Sequence, residues 1–196
     1  MRLLIALSAI VLSGCQFSTA SVDSYIDPSY SAKEIKRVVV FPMTNAGISP
    51  GQAQELSRVF AQGLQRRNPQ LQIMGAGEAI DKINEAGLAD DWAVFLRNYN
   101  TSGIPNTKTA RHFGAVLGVD AIIQGSILSL SQKDSSGYDY PTTRVNLRYG
   151  AISGKTGVML WEISAEGSIL ANSYTAAPII DAARIANKKV IDSLPD

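Results

Sequence analysis

The run Val38-Val39-Val40-Phe41 constrains the fold more than any other stretch. Four consecutive apolar residues, three of them β-branched, suit a strand buried on both faces. The strand is read from Ile35 to Phe41, with Pro42 expected to end it. Ser49 then offers a helix cap, and Pro50 stands in the favoured first position. Ala53, Leu56, Phe60 and Leu64 share one face at helical spacing, and Arg66 and Arg67 suit the negative end of the helix dipole. Asn68-Pro69 stops that helix.

Further on, Leu71 to Met74 reads as a short second strand. Helices are expected over Glu78 to Glu85, from Ala89 through Trp92, Phe95 and Leu96, and over Thr107 to Leu117. Asn98 to Pro105 reads as a polar break. Gly118 ends a helix and a third strand starts at once, running to about Ser131. Thr142 to Ile152 alternates, with Val145, Leu147 and Tyr149 on one face and Arg144, Asn146 and Arg148 on the other. Gly154-Lys155-Thr156-Gly157 is a hairpin turn. Val158 to Ile169 is the fifth strand, with Met159, Trp161 and Ile163 together. A helix after Pro178 buries Ile180, Ala183, Ala186, Val190 and Leu194. The order predicts an α/β (α+β) fold: a single mixed sheet of about five strands, the last three an antiparallel meander, flanked by helices.

The N-terminus is of a different kind. Arg2 precedes an apolar run from Leu3 to Leu12, the length of a signal peptide and too short for a permanent membrane span. Leu12-Ser13-Gly14-Cys15 then resembles the bacterial lipobox, which makes Cys15 the candidate lipidation site and residues 1–14 a cleaved lipoprotein signal peptide. Cys15 is the only cysteine of the 196 residues. Once it is acylated no intrachain disulfide can form, so the fold must rest on packing. Several acyl chains on one residue, at about 0.8 kcal/mol per buried methylene, hold a protein on a membrane. Residues 15–34 are rich in Ser, Thr, Asp and Tyr and read as the lipidated N-terminus and a tether, averaging about 25 Å of reach. The folded domain is expected over 35–196. In the lipobox sorting rule, Gln16 in place of Asp implies the outer membrane.

Composition removes several function classes. The net charge is +1 with no basic stripe, which leaves nucleic-acid binding without an electrostatic footing. Gly75-Ala76-Gly77 lacks the third glycine of a dinucleotide loop, where Ile80 stands, and Gly154-Lys155-Thr156 has Tyr149 where a phosphate loop needs glycine. His112 is the lone histidine, without a metal-ligand partner at helical spacing. Asp90 and Asp91 sit at a helix start, where they serve the dipole. No nucleophile–base pair is visible. No catalytic residue, metal ligand or cofactor is therefore expected beyond the covalent lipid on Cys15. Trp161 and the pair Arg144 and Arg148 are the candidate interface residues: Trp161 as core or anchor, the arginines as a solvated face or a contact for an anionic partner.

Val38-Val39-Val40-Phe41-Pro42, Gly118-Val119-Asp120-Ala121-Ile122-Ile123-Gln124-Gly125, Val145-Asn146-Leu147-Arg148, and Thr156-Gly157 followed by Leu160-Trp161-Glu162 together resemble a superfamily of periplasmic outer-membrane lipoproteins. It includes the curli secretion channel lipoprotein, the Pel polysaccharide export lipoprotein, the LpoB activator of penicillin-binding proteins and the GNA-type lipoproteins, and its domain is similar to the N-terminal domain of TolB. The resemblance covers roughly Lys36 to Leu194. It implies a non-catalytic, lipid-anchored protein on the periplasmic face of the outer membrane. Such a protein would self-associate or bind envelope proteins or polysaccharide in assembly or export. A regulator of a peptidoglycan synthase is the alternative, and a periplasmic hydrolase a more distant one. The long alternating hairpins of the curli channel are missing, so no pore is expected.

Overall fold

The structure is a computed structural model that describes residues 17–44, 47–135, 139–171 and 175–195. Its elements are β1 (Phe17–Ile26), β2 (Arg37–Thr44), α1 (Pro50–Arg67), β3 (Gln72–Met74), α2 (Ala76–Glu85), α3 (Ala89–Ser102), α4 (Thr107–Leu117), β4 (Ala121–Lys133), β5 (Thr142–Ser153), β6 (Met159–Leu170) and α5 (Ile179–Asp192). Among the described residues the strands form one six-stranded sheet in the order β1-β6-β5-β4-β2-β3. β2 is parallel to β3 and β4, while β4, β5, β6 and β1 follow one another antiparallel. The expected meander is present, inside an α/β fold with helices on both faces.

The sixth strand is β1. Phe17 to Ile26, expected to act as a tether, instead pairs residue for residue with β6, from Phe17 opposite Leu170 to Ile26 opposite Trp161. The segment lacks a hydrophobic period because an edge strand is held by its ladder and needs little burial. Ser18 to Ile26 are all exposed.

Two apolar layers enclose the sheet. On one side Leu56 and Phe60 of α1 and Ala183, Ala186 and Val190 of α5 pack on Val38, Ile123, Leu147, Ile163 and Ala165. Phe60 stacks on Tyr149 with ring centroids 3.9 Å apart. Each fully buried side chain of this size stabilises by about 1.5–3 kcal/mol relative to exposure. On the other side Ile83 of α2, Trp92, Phe95 and Tyr99 of α3 and Phe113 of α4 cover Val39, Phe41 and Ile122. Val38 to Phe41 is thus buried from both faces, as its composition requires.

The start of α1 has the expected cap: Ser49 accepts from the Gln52 backbone and Gln52 reaches back to the Ser49 N–H. Three local readings are corrected. Pro42 does not end its strand; the ladder with β4 shifts register between Phe41 and Thr44, a place where a missing N–H is tolerated. α3 continues through the polar Asn98 to Ser102, because Tyr99 is buried beneath it and Gly103, at φ 72°, closes it. Met159 leaves the Trp161 face, since a register shift between Ala151 and Ile152 turns it toward the second apolar layer.

Candidate functional site

Cys15 and the lipobox residues Leu12, Ser13 and Gly14 lie outside the described residues. Only Gln16 separates Cys15 from the first residue of β1. No helix among the described residues is long and apolar enough to cross a membrane.

Near the C-terminal end of β5, a cleft of about 360 Å³ opens between the ends of α1 and α5. Its floor is apolar, from Val38, Ile123, Ala151 and Trp161, and Lys33 and Arg67 stand in its lining. Trp161 is only 3% exposed. It therefore belongs to the core, where it lines the floor of this cleft. Tyr30 lies against it, and burial pushes the Tyr30 hydroxyl above its ordinary value, although a hydrogen bond with Trp161 opposes the rise.

The arginine face is built differently. The polar face of β5 and β6 carries Arg144, Asn146 and Arg148 beside Glu162, Ser164 and Glu166. The two arginines separate in role. Arg144 is exposed. Arg148 lies with its guanidinium carbon 5.3 Å from the centre of the Tyr99 ring and its Nη1 3.7 Å from Glu162 Oε2. Its side chain is 12% exposed, so its charge is spent inside the protein. Burial raises the Glu162 carboxyl, Arg148 lowers it, and Asp23 raises it again, leaving it above the ordinary value. Burial likewise pushes the Tyr99 hydroxyl up to about 12, against the pull of Arg148. Tyr99 Oη and Asn146 Oδ1 are buried side-chain atoms without a hydrogen-bond partner.

The remaining candidates have structural places. Gly154 to Gly157 form a hairpin turn in which Ser153 Oγ accepts from the Lys155 and Thr156 backbones. Gly75 is the N-cap of α2. His112 is exposed on α4, and Asp90 and Asp91 lie in the first turn of α3. Among the described residues no group of three or more His, Cys, Asp or Glu could hold a metal ion. The reading of the sequence missed the cleft, because six separate segments meet only in the folded chain. It also missed Asp120, whose carboxylate accepts from the backbone N–H groups of Lys36 and Arg37 at 2.9 and 3.0 Å.

The structure is similar to several solved ones. A PelC dodecamer from Paraburkholderia phytofirmans aligns at TM-score 0.49 and 14% identity, over 88% of this chain and 95% of that one. Lipoprotein GNA1162 from Neisseria meningitidis aligns at TM-score 0.47 and 14% identity, over 80% of this chain and 99% of that one. A hypothetical protein from Chlamydia trachomatis aligns at 0.48 and 13%, over 81% and 94%. No protein-family model matches the sequence, and no curated protein matches it.

Proposed function

We propose that this chain is a lipoprotein, held by acylated Cys15 on the periplasmic face of the outer membrane, that works by binding and not by catalysis. Its role is that of a self-associating component of envelope assembly or export, of polysaccharide or of protein. The observation that carries this reading is the junction of Leu12-Ser13-Gly14-Cys15 with a folded strand that begins at Phe17. A membrane anchor joined so closely to a rigid sheet suits a protein that presents surfaces at a fixed place.

Two neighbouring surfaces support self-association. β1 ends the sheet, and its outer edge carries one charged residue, Asp23, and no proline to block pairing. Beside it lies the face with Asn146 Oδ1 unpaired. The regulator of a distant synthase needs a long free tether, and the pairing of β1 removes nearly all of it. Light scattering on the acylated chain in detergent, corrected for bound detergent, tests the reading. A discrete mass of several copies supports it, and a monomer at all concentrations refutes self-association.

A further inference from the structure

We propose that the end of the sheet where β1 begins rests on the bilayer surface, with Tyr140, Leu170, Lys133 and Arg144 touching the phospholipid headgroups. This rests on the anchoring at Cys15 proposed above. It goes further by assigning the membrane-facing side of the domain.

Chain length sets the position of β1 relative to the anchor. With only Gln16 between them, Cys15 and Phe17 can be at most about 7 Å apart. An acylated Cys15 sits at the headgroup level, so the first residue of β1 must sit there too. The ladder then fixes what else does. Phe17 lies opposite Leu170, Leu170 opposite Thr142, and Thr142 opposite Lys133, so four strand ends form one row.

That row exposes side chains suited to an interface. Tyr140 is 65% and Leu170 39% exposed, a tyrosine and a leucine left in solvent together. They line one shallow hollow with Lys133 and Arg144. An aromatic ring with a polar tip beside long cationic side chains is the chemistry of the headgroup zone. Lys133 is ion-paired with Asp139 at 3.0 Å, but both side chains are more than half exposed, and a pair of this kind yields readily to a phosphate.

The strands stand away from this end. The ten residues of β1 climb about 30 Å before Ile26 pairs with Trp161. The cleft over Trp161 and the Gly154 to Gly157 hairpin are therefore on the far side and open toward the periplasm.

The test uses the protein's single cysteine. With Cys15 acylated no other thiol remains, so Tyr140→Cys, Leu170→Cys and Thr156→Cys can each take a nitroxide label. The acylated protein is placed in vesicles of phosphatidylethanolamine and phosphatidylglycerol. Collision of each label with oxygen, which favours lipid, is compared with collision with a water-soluble nickel chelate. The expected result is a several-fold higher ratio of oxygen to nickel collision at 140 and 170 than at 156. Equal, water-like ratios at all three positions overturn the proposal while leaving the anchor intact. Labels at 140 and 170 shielded from both reagents also overturn it, in favour of a protein contact. Mass spectrometry of the same samples separates the two claims, because an unmodified Cys15 removes the anchor itself.

Discussion

The Asp120 carboxylate and the Lys155 ammonium meet at 2.9 Å, joining the start of β4 to the hairpin between β5 and β6. The other Asp120 oxygen accepts from the Lys36 and Arg37 backbones, so one side chain ties the start of β2 to its neighbour as well. Lys155 is largely exposed, and most of the stabilisation comes from the backbone bonds to a charged acceptor.

Acid should loosen this junction. Burial alone raises the Asp120 carboxyl, but the bonds from Lys155, Lys36 and Arg37 outweigh it and hold the group below its ordinary 3.8. A lowered folded-state value means stability that is full above the unfolded value and lost as pH falls through the folded one. Asp120→Asn should cost about 1–3 kcal/mol at neutral pH and flatten the loss as pH falls below about 4. Urea midpoints across that range check it; a loss as steep as in the parent protein counts against the assignment.

Gly167 is where α5 crosses β6. A Cβ there would stand 2.2 Å from the Ala182 carbonyl oxygen and 2.7 Å from the Ala186 nitrogen. Neither backbone atom can move alone, so Gly167→Ala should destabilise by about 1–3 kcal/mol through overpacking. Gly77 in α2 has nothing within 4 Å of its Cβ position. Gly77→Ala should therefore leave stability unchanged or raise it by about 0.5–1 kcal/mol. Paired denaturation curves give both values.

Arg148 should not tolerate lysine. Its flat guanidinium lies against Tyr99 and near Glu162, and an ammonium does not reproduce that stacking. Arg148→Lys and Arg148→Ala should each cost about 1–2 kcal/mol, the Glu162 contact adding little because that carboxylate is partly exposed. Full rescue by lysine would contradict the stacking role.

Hydrogen exchange distinguishes strand from tether in β1. Amides that face β6 should exchange slowly and alternate with fast ones on the free edge. Uniformly fast exchange from Phe17 to Ile26 would mean the segment is not a strand in solution.

What the sequence made legible follows from burial. Val38 to Phe41 and the alternation of Thr142 to Ile152 announce themselves because each has an apolar face to hide. Ser18 to Ile26 does not, since an edge strand gains its place from a neighbour's backbone, which leaves no periodic mark. Alternation puts Met159 on the wrong face for a related reason: a register shift between Ala151 and Ile152 is a property of the pair of strands and not of either one. Of the candidate interface, the alternation correctly separated Arg144 and Arg148 from the apolar face. It could not tell that Arg148 is covered by Tyr99, which comes from a helix some fifty residues away in the chain.

Attachment of the domain to a membrane depends on the N-terminus. Intact-mass spectrometry of the protein extracted from the bacterial envelope measures it directly. The predicted species begins at Cys15 and carries the added mass of a diacylglyceryl group and a further acyl chain. A species that retains Met1, or that starts at Cys15 with a free thiol, would contradict it.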